Sequence, residues 1–388
     1  MHGTVQSFCG VQRINRAHFP HLQISANNDL FPAMSLRFAR FLSTTPTLRA
    51  NYGFIGLGQM GQHMARHIYA KMEPLDKLYV FDTVPEATAS FVDTVTQQKP
   101  EAKSQLHTLD AIPKFVTDVD AQLDFIVLMV PEGKHVKGVV SELVDAYKKN
   151  PQTGLTTFLD SSTIDIPTSV EVHQMVKKEL PEFDFIDTPV SGGVAGARKG
   201  TLSFMLSRED HKDVAPDLVK LLNMMGTNIF PCGKNHGAGL AAKLSNNYLL
   251  AVTNLAVADS FQLAKSFGLN LQHYAKLVSV STGKSWASVD NCPIPGVYPE
   301  NNLPADVGYK GGFITKLTKK DLVLATDCAN QYDRALFLGP TARKWYLKAC
   351  EREDLGSRDL GVLYEWLGEL EEKNGEYVDK KTSESFKV

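Results

Sequence analysis

From Asn51 onward the chain alternates short apolar runs with longer stretches whose apolar residues recur at helical spacing. The runs are NYGFIG, KLYVFD, DFIVLMVP, TTFLDSS and DFIDTPV, and between them Gln59 to Met72 and Glu132 to Lys149 have helix-like patterns ending near Gly, Pro or Asn. Runs rich in Val, Ile and Phe, flanked by helices, predict a mostly parallel sheet buried on both faces, which is a doubly wound α/β domain. After about Pro231 the strand signals stop. A long helix over Gly239 to Phe267 follows, with Gly268 where a helix stop belongs, and the remainder reads as an all-α second domain. The pattern divides the chain into residues 1–50, an α/β domain at 51–235, a helical domain at 236–372 and a polar tail at 373–388. The final residues, EEKNGEYVDKKTSESFKV, read as loose.

The segment before Asn51 has a different composition. Arg13, Arg16, Arg37, Arg40 and Arg49 stand among serines and threonines against one acid, Asp29. That is the bias of a mitochondrial transit peptide, and MSLRFARFLSTTPTLRA from Met34 would serve as one by itself, which predicts a matrix location. A length of 388 residues with 43% hydrophobic residues supports two domains. A net charge of -2 gives no surplus for a phosphate backbone, so nucleic acid is not an expected partner. Five scattered cysteines without CxxC spacing suit a reducing compartment, and no apolar run reaches the roughly 18 residues of a membrane helix.

Candidate chemistry begins after the first run. Gly56, Gly58 and Gly61, with Leu57, Gln59 and Met60 between them, form a GxGxxG turn opening a helix. Such glycines let the chain turn tightly and let a pyrophosphate approach the backbone at a helix N-terminus. Asp82 ends the second run about twenty residues later, where a carboxylate accepts ribose hydroxyls and repels a 2'-phosphate, favouring NAD over NADP. The ends of later strands, Val130-Pro131 and Asp160 to Thr163, should border the same cofactor, because ligands bind at the carboxyl ends of such strands.

Two further segments are unusual. Asp187 to Gly193 closes a strand with Ser191, Gly192 and Gly193, whose backbone N–H groups could take a carboxylate. Lys243 and Asn247 lie four apart on one face of the long helix, inside an otherwise apolar stretch where unpartnered polar groups are expensive. The eleven histidines have no spacing of the HExxH type, and no metal is expected.

With these motifs on view, the chain resembles the β-hydroxyacid dehydrogenase family from about Tyr52 to Leu370. The resemblance is carried by GFIGLGQMGQHMA (53–65), the SST of Ser161 to Thr163, DTPVSGGVAGARKGTLSFM (187–205), AAKLSNN (241–247) and KDLVLA (320–325). It implies a Rossmann domain followed by a helical one, homodimers or homotetramers, and a small hydroxy acid as substrate. It also implies Lys243 as the catalytic acid/base, Asn247 beside it, and Ser191 to Gly193 as the holder of the substrate carboxylate. Thr163, Lys320, Val130, Pro131 and His135 would border the cofactor. Residues 281–297, STGKSWASVDNCPIPGV, resemble members that oxidise 3-hydroxyisobutyrate in valine breakdown, with Trp286 packing near the pocket. Departures from the family pattern are His135, where asparagine is usual, MLSRED in place of an MVGG-like turn, and Asp259-Ser260 on the long helix.

Overall fold

The computed structural model describes residues 49–387 apart from Thr153 and Asn374. The expected transit segment therefore lies outside the described residues, save for Arg49 and Ala50. The α/β part runs β1 (Asn51–Ile55), α1 (Gly61–Lys71), β2 (Lys77–Phe81), α2 (Pro85–Gln98), β3 (Leu106–Thr108), α3 (Lys114–Thr117), β4 (Phe125–Leu128), α4 (Gly133–Lys149), β5 (Thr157–Asp160), α5 (Ile166–Glu179) and β6 (Asp184–Asp187). These six strands form one parallel sheet in the order β3-β2-β1-β4-β5-β6. The order reverses between β1 and β4, so a crevice opens there at the carboxyl ends of the strands.

Alternation along the strands explains how both faces are filled. Tyr52 and Phe54 join Ile68, Val80 and Leu159 on one face, while Ile55, Ile126, Leu128 and Phe158 meet Val140, Val172 and Leu143 on the other. A second, three-stranded sheet follows on the chain: β7 (Val190–Ser191), α6 (Gly193–Lys199), β8 (Leu202–Leu206), α7 (Pro216–Met225) and β9 (Gly226–Pro231). Here β7 is antiparallel to β8, and β8 is parallel to β9.

The helical part is α8 (Ala238–Ser266), α9 (Leu271–Ser279), α10 (Thr315–Gln331), α11 (Gly339–Ala349), α12 (Glu353–Gly356) and α13 (Leu363–Glu369). Gly268, at φ +72, ends the α8 turn, with Leu269 N–H closing on Ala264 O at 3.1 Å. Ala251 of α8 sits with Leu322, Tyr346, Leu363 and Trp366 in the core of this part. Leu240 and Leu244, early in α8, and Ala325 of α10 belong instead to the core beneath β4 and β5. The start of the long helix is thus packed into the α/β part while its remainder builds the helical one.

The C-terminus departs from the expectation of an all-α ending with a loose tail. Strands β10 (Leu370–Lys373), β11 (Glu376–Asp379) and β12 (Ser385–Phe386) make a small antiparallel sheet. Tyr377 and Phe386 pack on Trp345, with ring centroids at 5.0 and 6.1 Å. Asp379 anchors the sheet by accepting from Trp366 Nε1 at 3.0 Å and Arg352 Nη1 at 2.8 Å. A few aromatic contacts and one buried carboxylate order a segment whose composition is otherwise polar. Among the described residues no helix is long and apolar enough to cross a membrane.

Candidate active site

The glycine-rich turn joins β1 to α1 at the reversal of the sheet. Gly56 is held at φ +98, and a Cβ there would stand 2.3 Å from Met129 O; a Cβ on Gly61 would stand 1.9 Å from Gly56 O. These contacts admit only glycine. Gly58 differs, since a Cβ there meets nothing within 4 Å. The N–H groups of Gly58, Gln59 and Met60 have no partner among the described residues. An open side and free donors at the start of a helix fit the pyrophosphate of a dinucleotide. Asp82 stands at the end of β2, and its carboxylate accepts from Leu57 N–H at 2.6 Å and from Val84 N–H at 2.8 Å. It therefore ties the turn to the second strand.

The loops after β4 and β5 meet under Lys320 of α10. Its Nζ donates to Thr163 O at 2.8 Å and Pro131 O at 3.4 Å, while Val130 N–H donates to Ser162 Oγ at 3.0 Å. One ammonium from the helical part thus clips together two of the residues expected beside the cofactor, Thr163 and Pro131. His135 lies exposed on the first turn of α4, and no side-chain bond joins it to this group among the described residues.

Next to Lys320, Asp321 is buried and accepts from Asn247 Nδ2 at 2.6 Å; its other oxygen is 3.6 Å from Lys320 Nζ. Asn246 Nδ2 donates to Asn247 Oδ1 at 3.3 Å. The Asn247 amide is therefore fixed at both ends, and one of its two N–H groups remains for a ligand. Lys243, one turn earlier, is only 8% exposed. Burial pushes its ammonium below the ordinary lysine value, the nearby Asp321 charge pulls it back up, and Lys320 adds to the depression. A buried amine of this kind can take up and release a proton nearer neutrality than a surface lysine.

Beneath the loops, Asp160 and Asp187 end adjacent strands in register and are both fully buried. Burial, aided by the Asp187 charge and opposed by hydrogen bonding from Ser162, pushes the Asp160 carboxyl up to about 7. Ser161 Oγ and Thr188 Oγ1, 3.1 Å apart, link the two strand ends. Ser191 pairs with Ser203, and Gly192 and Gly193 follow at φ +130 and +60. No hydrogen bond among the described residues joins Ser191 to Gly193 directly to Lys243 or Asn247. Trp286, expected near the pocket, is 47% exposed on a short 3-10 turn.

Sequence reasoning placed Asp160 at a strand end beside the cofactor but did not single out Asp321 or Ser207. The signal for Asp321 was an acid at a buried position of an amphipathic helix, directly after Lys320 in KDLVLA. For Ser207 it was a polar residue closing an apolar strand.

Residues 51–233 match the family model described as the NAD binding domain of 6-phosphogluconate dehydrogenase, and residues 237–367 match the one described as NAD-binding of NADP-dependent 3-hydroxyisobutyrate dehydrogenase. The mitochondrial 3-hydroxyisobutyrate dehydrogenase of Drosophila melanogaster is 34% identical over 338 residues, covering 86% of this chain and 94% of the relative. The human mitochondrial enzyme of the same name is 33% identical over 334 residues, covering 86% and 91%. Among solved structures, the Mycobacterium tuberculosis 3-hydroxyisobutyrate dehydrogenase with L-serine superposes with a TM-score of 0.69 at 32% identity, covering 82% of this chain and 99% of that one. A parallel sheet with a dinucleotide turn, joined by one long helix to a helical lobe, thus defines an NAD-dependent hydroxy acid dehydrogenase. Within that class, the chain belongs to the 3-hydroxyisobutyrate dehydrogenase family.

Proposed function

We propose that the chain oxidises the primary alcohol of 3-hydroxyisobutyrate to methylmalonate semialdehyde with NAD, the step that valine breakdown requires, in the mitochondrial matrix. The observation that carries this reading is the buried Lys243, depressed by desolvation and set one helical turn from an Asn247 amide that Asp321 fixes. The residues of the Gly56 to Gly61 turn and Asp82 would hold the dinucleotide, with Val130, Pro131, His135, Thr163 and Lys320 along its nicotinamide half. Bound there, NAD supplies the hydride acceptor. The acid at Asp82 disfavours a 2'-phosphate, so NAD is preferred over NADP.

The chain's own residues do the rest. Ser191, Gly192 and Gly193 hold the substrate carboxylate through backbone N–H groups. The free N–H of Asn247 donates to the substrate hydroxyl oxygen and keeps that bond as the oxygen becomes a carbonyl. Neutral Lys243 accepts the hydroxyl proton as the C–H bond breaks and returns it to solvent afterwards. In the reverse direction the same ammonium is the acid, and the lysine needs no metal for either role.

A second reading is supported by the relative solved with L-serine: serine is also a 3-hydroxy acid, with an amino group where 3-hydroxyisobutyrate has a methyl. Large exposed apolar side chains in the helical part, Phe267 at 74%, Val280 at 86% and Phe337 at 90%, support a homodimer or homotetramer. Initial rates of NADH formation at 340 nm, with NAD or NADP against 3-hydroxyisobutyrate, L-serine and tartronate, test the assignment. Highest kcat/KM with 3-hydroxyisobutyrate and NAD is expected; preference for serine would move the chain to the second reading, and silence on all three would refute both.

A further inference from the structure

The helix that carries Lys243 and Asn247 starts without a cap of its own. Gly237, its N-cap residue, sits at φ +90 and brings no side chain. The first turn of a helix leaves N–H groups that need partners. Here they find them far back in the chain: Leu240 N–H donates to Asp187 Oδ2 at 2.9 Å, and Gly239 N–H to Ser207 Oγ at 3.3 Å. Gly237 N–H donates to Asp187 Oδ1 at 3.1 Å, and the Ser207 hydroxyl donates to the same oxygen. The approach is closer than a side chain permits, since a Cβ on Gly239 would stand 2.3 Å from Met205 O and 2.9 Å from Asp187 Oδ2. His236 closes the remaining side, with Nδ1 3.5 Å from Asp187 Oδ1, Nε2 3.0 Å from Ser169 Oγ, and its ring stacked on His173 at 4.3 Å.

We propose that Asp187 is a positioning residue of the reaction: its buried carboxylate, with Ser207, holds the first turn of α8 and so sets the distance between Lys243 and the Ser191 to Gly193 turn. Asp187 is fully buried and accepts three hydrogen bonds, an arrangement that also places an anion at the favourable end of the helix. In one direction along the chain it stands four residues before Ser191. In the other, Lys243 is about 9 Å along the helix from the capped end. One side chain therefore links the holder of the substrate carboxylate to the proton acceptor, which no hydrogen bond among the described residues joins directly. A shift of the first turn moves Lys243 relative to the bound acid while leaving the dinucleotide turn, on the other side of the sheet reversal, where it is.

The inference rests on Lys243 being the proton acceptor, so Lys243→Ala is measured beside Asp187→Asn and Ser207→Ala in the full chain. For each, kcat and KM with 3-hydroxyisobutyrate and NAD, the NAD dissociation constant by fluorescence titration, and the melting temperature are read. Displacing the base relative to the bound substrate is expected to lower kcat about tenfold to a hundredfold in Asp187→Asn, and less in Ser207→Ala, with NAD affinity within about twofold of the parent. A cap that is merely structural would lower the melting temperature and leave kcat per NAD-binding site at the parental value in both variants, which overturns the proposal. Should Asp187→Asn not fold, Ser207→Ala decides on the same readouts. Parental kcat in Lys243→Ala defeats the base assignment and this inference with it. An inactive Lys243→Ala beside parental kcat in the other two defeats this inference alone.

Discussion

Lys243→Ala and Lys243→Met separate what the lysine does for the reaction from what it costs the fold. The amine is the one group on the Asn247 face of α8 that can take the hydroxyl proton, and at 8% exposure little water reaches it to act as substitute. General-base assistance is worth about two to four powers of ten, or roughly 3–5 kcal/mol on the barrier, and kcat should fall by that much in both variants. The NAD dissociation constant should hardly change, because the dinucleotide turn and Lys320 are untouched. In the parent, kcat/KM rises as pH climbs through the depressed lysine value, since only the neutral amine accepts a proton. Both variants should lose that limb.

The same depression makes a stability prediction. Lys243 titrates lower in the folded chain than the roughly 10.4 of an unfolded lysine, so below its folded value the buried ammonium destabilises the native state. That penalty fades as pH rises through the window between the two values. Lys243→Met keeps the length and removes the charge, while Asp321 retains Asn247 and Lys320 as partners. It should melt above the parent at neutral pH, with the difference closing as pH approaches about 10. Steady-state rates across pH and melting curves at three pH values check both halves. A variant that keeps the ascending limb, or loses NAD affinity together with rate, would refute the reasoning.

Asp82→Ala removes the acceptor for two backbone N–H groups at 2.6 and 2.8 Å, so NAD affinity should fall about tenfold to a hundredfold and the preference over NADP should narrow. Fluorescence titration with both dinucleotides reads this, and unchanged affinity for both would contradict it. His236 is pushed below the ordinary imidazole value by burial, against the pull of Asp187. Its contribution is favourable above the unfolded value of roughly 6.5 and is lost as pH falls below it. The parent should therefore lose melting temperature more steeply than His236→Gln between about pH 7 and 5, whereas parallel curves would show that His236 takes up its proton equally in the folded and unfolded chain and would refute the depression.

The sheet was legible where strands are buried on both faces, because Phe125 to Leu128 or Phe158 and Leu159 can be nothing but apolar there. Edge and outlying strands were not. Leu106–Thr108 has no fully buried residue, and Gly226–Pro231 is largely exposed, so neither writes a pattern into the sequence. The terminal sheet was missed for a related reason: half the residues of its strands are charged, and Trp345 and Trp366, against which Tyr377 and Phe386 pack, lie on separate helices. At the site, the Lys243 and Asn247 pair was readable from one helical turn. The carboxylate that fixes Asn247 arrives from α10, 74 residues further on, and only the packing of two helices reveals it. Asp187 was visible as a strand end, but its hold on α8 depends on the N–H groups of a turn 50 residues away.

The most direct test of the account follows the hydrogen itself. 3-Hydroxyisobutyrate carrying two deuterium atoms on the alcohol carbon is turned over with NAD, and the reduced cofactor and the aldehyde are analysed by mass spectrometry. The account predicts one deuterium in the reduced cofactor, one in methylmalonate semialdehyde, and a rate slower than with the unlabelled acid. Deuterium released to solvent, or no reduced cofactor from this substrate, would contradict it.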